Sequence, residues 1–162
     1  MQIKEINGNL LDSNAELILH QVNCMGAMNS GVAKAIREKW PVVYVEYLKL
    51  VNSSLYGSEK SINREKLLGC IQPVKVNDKQ SVVNLFGQLR YGYDGKQYTK
   101  YEAITHCLCN VAIYCKENNI KTIALPWKMS CGRGGGDWET VLGIIKAAFI
   151  DVDVTVEIWK LE

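Results

Sequence analysis

Three short, mostly apolar runs constrain what this chain can fold into: residues 17–22 (Leu-Ile-Leu-His-Gln-Val), 82–86 (Val-Val-Asn-Leu-Phe) and 121–125 (Lys-Thr-Ile-Ala-Leu). Successive side chains of a strand point to opposite sides, so strands like these must be covered on both faces. Strands are expected at about 2–6, 16–22, 67–76, 80–87, 121–125 and 153–159, and helices at about 31–39, 42–51, 99–118 and 137–149. Over 99–118, Tyr101, Ile104, Leu108, Val111 and Cys115 share one helical face, while Glu102, His106, Asn110 and Glu117 fall away from it. Strands alternating with amphipathic helices predict an α/β/α sandwich. The polar stretch 52–66 reads as a mobile loop.

A chain of 162 residues with 48% hydrophobic composition is expected to form a single domain over 1–162. Its net charge is only +2, with lysines and arginines dispersed among acidic residues, so sequence-specific or polyanionic nucleic-acid partners are not expected and a small anionic ligand is. The start Met1-Gln2-Ile3-Lys4-Glu5 has no apolar signal core, and several of the six cysteines fall in core-like segments, as in a reduced, cytoplasmic protein. Cys107 and Cys109 point roughly 200° apart on a helix, and with two histidines in the chain no zinc cluster is expected. No run approaches the roughly 20 apolar residues of a membrane span.

If the three apolar strands are parallel neighbours, loops 23–30, 88–98 and 126–136 meet at the carboxyl edge of the sheet, where open α/β sheets bind ligands. Two of these loops are rich in small residues. One runs Asn23-Cys24-Met25-Gly26-Ala27-Met28-Asn29-Ser30-Gly31; the other, Ser130-Cys131-Gly132-Arg133-Gly134-Gly135-Gly136, has four glycines in five positions. Facing backbone cradles of this kind suit a diphosphate. Asp137-Trp138 follows the glycines where a nucleotide P-loop needs lysine and a hydroxyl, and the spacing also departs from the dinucleotide fingerprint.

Several side chains at these loops carry two readings. His20 is either a general acid or base in the cleft or a satisfied core histidine. Asn23 is a ribose ligand or a turn former, and Arg133 a phosphate ligand or a solvated side chain. Asp137 reads as the N-cap of the last helix rather than a catalytic carboxylate. Tyr91 and Tyr93 either stack on a ligand or pack their own loop, and Gln88 ends a strand at the cleft.

Ile6-Asn7-Gly8-Asn9-Leu10, Ile18-Leu19-His20-Gln21-Val22-Asn23, Gly26 to Ala33 and Pro126 to Glu139, in that order, resemble the macrodomains. The resemblance spans almost the whole chain and implies a three-layer sandwich around a mixed, mostly parallel sheet that binds ADP-ribose. It is closest to the compact branch of terminal ADP-ribose protein glycohydrolases and the yeast phosphatase of ADP-ribose 1''-phosphate. It places Asn9, Leu10 and, in the last strand, Leu161 by the adenine. Asn23 with Gly26, Ala27, Ser30, Gly31 and Val32 would hold the distal ribose, and Ser130, Cys131, Gly132, Arg133, Gly134 and Gly135 the diphosphate, with Gln88 beside them. Glutamate in place of Gly134 is then expected to press bulk and charge against the diphosphate.

Two departures separate this chain from the glycohydrolases it resembles. Their lysine nucleophile and partner aspartate align with Gln88 and Gly134, and an amide cannot form a Schiff base with an opened ribose. Asn9 stands where many members carry aspartate, which leaves adenine without a charge-assisted acceptor. His20 matches a histidine that the yeast phosphatase is proposed to use. The resemblance therefore implies a cofactor-free, monomeric hydrolase of ADP-ribose derivatives acting on a small molecule or an ADP-ribosylated macromolecule, with His20 catalytic. The alternative is a non-catalytic ADP-ribose reader; a third class is an interaction domain with purely structural glycines.

Overall fold

The computed structural model describes residues 1–53 and 64–161. Strand β1 (Gln2–Asn7) leads into a short 3-10 turn (Leu10–Asp12) and β2 (Leu17–Asn23). Helices α1 (Gly31–Lys39) and α2 (Pro41–Ser53) follow, then β3 (Ile71–Asn77), β4 (Gln80–Gln88), α3 (Tyr101–Glu117), β5 (Thr122–Pro126), α4 (Trp138–Ala148) and β6 (Thr155–Lys160). Pro41 sits at the first position of α2, where its missing N–H costs nothing and its fixed φ favours the helix, so it separates the two helices. Most of the polar stretch 52–66 lies outside the described residues.

The sheet order is β1-β6-β5-β2-β4-β3, and every pairing is parallel except β3 with β4. The mixed sandwich is therefore as expected. Leu17, Leu19, Val83, Leu85, Ile123 and Leu125 face one buried cluster with α3 and α4, while Ile18, Val22, Val82, Phe86 and Ala124 face the other with Ile36, Val43 and Tyr47 of α1 and α2. Alternate residues of the three apolar strands thus enter two separate cores, which explains their continuous hydrophobicity.

Residues 67–70 are not strand. Leu67 and Leu68 donate to the carbonyls of Arg64 and Glu65, closing a turn, and β3 starts only at Ile71. Two leucines before Gly69-Cys70 imitate a strand pattern, but they bury against the α2 side from a turn. All six cysteines are free; Cys107 is buried and Cys109 exposed, on opposite sides of α3. No helix among the described residues is long and apolar enough to cross a membrane.

Candidate functional site

Because β2, β4 and β5 run parallel and adjacent, their carboxyl ends deliver three loops to one place. A cavity of about 430 Å³ opens there, lined by residues 20–23, 27 and 29–33 from the first loop, 88 and 91–93 from the second, and 126–130 with 132–134 from the third. Its size lies within the range of about 300–1,000 Å³ typical of small-molecule sites.

Two sets of backbone donors face this cavity. Ser30, the residue before α1, makes no side-chain cap, and the first turn of α1 holds no acidic residue, so the amides of Gly31, Val32 and Ala33 are left to whatever enters. In the glycine loop the N–H groups of Gly132, Arg133 and Gly134 make no hydrogen bond within the described residues, whereas those of Cys131, Gly135 and Gly136 bond to Lys128, Gly132 and Ser130 carbonyls. The start of α4 differs: the Asp137 carboxylate accepts from the Thr140 N–H at 3.0 Å, so this aspartate is an N-cap. One helix start is sealed by its own side chain and the other is open to an anion.

The glycine loop is held by Gln21, a residue that composition and motif do not single out. Its amide nitrogen donates to Gln88 Oε1 at 2.6 Å and to Thr99 Oγ1 at 2.9 Å, and its oxygen accepts from Ser130 Oγ at 2.7 Å. Thr99 in turn donates to the Ser130 carbonyl at 2.8 Å, and the Gln88 amide nitrogen to the Arg90 carbonyl at 2.8 Å. Both ends of the Gln88 side chain are thus engaged as a strut between loops. A Cβ built on Gly134 would run into Thr99 Oγ1 and lie 2.6 Å from the Ser130 carbonyl oxygen. A glutamate at Gly134 would therefore collide with the protein before reaching a ligand, which corrects the expectation above. Gly132, where a Cβ meets nothing within 4 Å, is the position that opens on the cavity.

Asn23 organises the other loop. Its side-chain oxygen accepts from the Met25 N–H at 2.9 Å and from Tyr47 Oη at 2.9 Å, and its amide nitrogen donates to the Ala27 carbonyl at 2.9 Å. The turn-forming role is therefore realised, and the side chain has one donor left for the cavity. Tyr47, fully buried, also accepts from the Gly26 N–H at 3.1 Å, and burial pushes its phenol well above the usual range, so it stays protonated. Tyr47→Phe strips the partner from two buried groups and is expected to cost about 1–3 kcal/mol of stability, measurable as a shift in the urea unfolding midpoint.

His20 is 1% exposed and lines the cavity. Its Nε2 lies 2.6 Å from Asn84 Oδ1; the Asn84 amide donates to Gln72 Oε1 at 3.0 Å, and the Gln72 amide to the Glu46 carbonyl at 2.9 Å. A backbone carbonyl can only accept, so it sets the orientation of both amides and places the proton of His20 on Nε2. The lone pair on Nδ1, itself buried, has no hydrogen-bond partner among the described residues. Burial lowers the pKa to about 4, against the opposing pull of Asn84, so His20 is neutral near pH 7 and offers a base rather than an acid.

Other expected residues stand apart from the cavity. Asn9 caps the 3-10 turn through its oxygen, bonded to the Leu11 N–H at 3.0 Å, which leaves its NH2 outward. Leu10 is buried in the α1–α2 core, and Leu161 lies beyond the end of β6 rather than within it, 74% exposed. Gly26, Cys131 and Gly135 support the loops from behind without lining the cavity. Burial pushes the Cys131 thiol up to about 11, so it is no nucleophile at neutral pH. Arg133 is exposed, with its guanidinium stacked on Tyr93.

This is an open α/β sandwich with a glycine-lined cavity at the carboxyl edge of its sheet, bordered by backbone N–H groups that have no partner among the described residues. The macro domain profile matches residues 19–145, and the chain belongs to that family. It is 24% identical over 153 residues, 93% of its length, to a DNA ADP-ribosyl glycohydrolase of Mycobacterium tuberculosis, of which it spans only 40%. An ADP-ribose 1''-phosphate phosphatase of Aspergillus oryzae is 41% identical over 46 residues, 28% of this chain and 23% of that protein. The solved macrodomain of Mycobacterium tuberculosis DarG shares the fold, with a TM-score of 0.80 at 23% identity over 98% of this chain and 97% of that one.

Proposed function

We propose that this macrodomain binds ADP-ribose derivatives in the cavity and hydrolyses a group from the distal ribose, the 1''-phosphate first among them. The observation that carries this reading is a pair of backbone cradles, the uncapped start of α1 and the amides of Gly132, Arg133 and Gly134 that bond to nothing among the described residues, at one cavity of suitable size. The glycine loop holds the diphosphate and the 23–31 loop the distal ribose, while Asn9, Leu10 and Leu161 mark the side toward adenine. Family membership and the names of both curated relatives support the ligand class.

In the catalytic reading, water attacks the phosphorus of the 1''-phosphate and gives its proton to Nδ1 of His20; the bond from phosphorus to the ribose oxygen breaks with its electron pair on that oxygen, which takes the proton back from His20, leaving phosphate and ADP-ribose. The neutral Nε2-H tautomer leaves Nδ1 free for this, but a base of such low pKa makes a modest catalyst. Gln88, locked by its hydrogen bonds, supplies no lysyl chemistry. That departure favours a second reading, a binding module without turnover.

Phosphate release from ADP-ribose 1''-phosphate separates the two. The catalytic reading expects release that falls roughly 100-fold in His20→Ala. Equal rates in both proteins would remove His20 from the chemistry, and tight binding without release would establish the reader.

A further inference from the structure

The start of α1 offers more hydrogen-bond donors than a bare ribose can use. Besides the amides of Gly31, Val32 and Ala33, the side chains of Asn29 and Ser30 belong to the lining of the cavity at this end. The Ser30 hydroxyl caps nothing, and neither it nor the Asn29 NH2 has a hydrogen-bond partner among the described residues. The same cavity is lined by a buried acceptor without a donor, Nδ1 of His20, in a side chain only 1% exposed.

Asn29 is held so that its donors are left over. Its Oδ1 accepts from Arg37 Nη1 at 3.2 Å. A guanidinium only donates, so it fixes which end of the amide faces it and which end stays free. Arg37 is held in turn over the Tyr44 ring, 3.8 Å from its centre, and its charge beside the amide oxygen polarises the N–H bonds at the other end. A ribose hydroxyl donates as well as accepts, whereas a phosphate monoester carries three terminal oxygens that are strong acceptors. A phosphate held by these donors leaves Nδ1 of His20 to a hydroxyl or a water beside it.

We propose that Asn29 is the specificity-determining residue for a phosphate on the distal ribose, with Arg37 a positioning residue that acts through it. This rests on the ADP-ribose reading of the cavity and names the side chains that choose between a phosphorylated end and a bare one. The test titrates two ligands into the wild-type chain, Asn29→Ala and Arg37→Met: ADP-ribose, and its non-cleavable 1''-phosphonate analogue with a methylene group in place of the bridging oxygen. The readout is the preference, the ratio of the two affinities, which a loss of loop structure common to both ligands would not move. The wild type is expected to prefer the phosphonate roughly 100-fold, through several hydrogen bonds to its charge. Asn29→Ala should lower that preference roughly tenfold, the worth of one hydrogen bond to a charged group, and Arg37→Met about threefold.

Equal affinity of the wild type for the two ligands, or a preference that survives intact in Asn29→Ala, would overturn the assignment and leave the ADP-ribose reading in place. A larger loss in Arg37→Met than in Asn29→Ala would overturn the positioning role, because the guanidinium would then itself meet the phosphate. If neither ligand binds the wild type, the ADP-ribose reading fails and the assignment falls with it.

Discussion

Gly135→Ala is expected to lower the stability of the chain by about 2–5 kcal/mol and to abolish ligand binding, because two separate penalties fall on one atom. Gly135 has φ +70°, a conformation that costs an L-residue about 1–2 kcal/mol. A Cβ there would also lie 2.6 Å from the Lys96 carbonyl oxygen and 2.9 Å from the Cα of Gln97, both backbone atoms that cannot step aside as a side chain can. The clash would push apart the loops after β4 and β5, which are joined at this point: the Gly134 carbonyl accepts from the N–H groups of Tyr98 and Thr99 at 2.8 and 2.9 Å. Displacing them also breaks the bonds that Gln21 makes to Thr99 and Ser130. Gly132→Ala, in open space and without a positive φ, should stay within about 0.5 kcal/mol of wild type. Urea unfolding of the two variants checks the contrast; equal midpoints would mean that the glycine loop is not packed as described.

Acidification from pH 6.5 to 4 is expected to remove roughly 3 kcal/mol of stability through His20 alone. Its pKa falls from 6.5 in the unfolded chain to about 4 in the folded one, chiefly because burial penalises the charged ring. Above pH 6.5 both states are neutral and the histidine adds no pH dependence. Below 6.5 the unfolded chain takes up a proton that the folded chain refuses, so stability falls until the folded ring also titrates near pH 4. His20→Gln removes this proton uptake, and its stability should lose that part of the slope across the same window. Parallel slopes for variant and wild type would show that His20 is not held neutral, and the base role would lose its physical footing.

Which parts of this molecule could be read from residues alone follows from how far apart the interacting groups lie in the chain. The two-faced strands were legible because burial on both faces is written into consecutive apolar positions, as in Leu17, Ile18 and Leu19. The Asp137 cap was legible because its partner is Thr140, three residues on. The antiparallel pairing of β3 with β4 has a local mark too, because the two residues between them are too few for the crossover that parallel neighbours need, whereas Leu67-Leu68 imitates strand while sitting in a turn. Gln21 and Asn84 escaped notice because what they hold lies far along the chain: Gln21 meets Gln88, Thr99 and Ser130, and Asn84 meets His20 and Gln72. Polar residues inside otherwise apolar strands are the one available signal, since a buried amide must find partners. Lys160 likewise reaches the Trp127 ring from far along the chain, through the pairing of β5 with β6.

An ADP-ribose site between the start of α1 and the glycine loop is put to the test by calorimetric titration of the wild-type chain and Gly132→Glu with ADP-ribose. Gly132 lines the cavity and has room for a side chain, so the glutamate leaves the loop intact and sets a carboxylate among amides proposed to hold the diphosphate. The wild type is expected to bind saturably at ligand concentrations below about 1 mM, and Gly132→Glu not at all, at unchanged stability. No binding by the wild type at that concentration, or equal affinity in the two proteins, would contradict it.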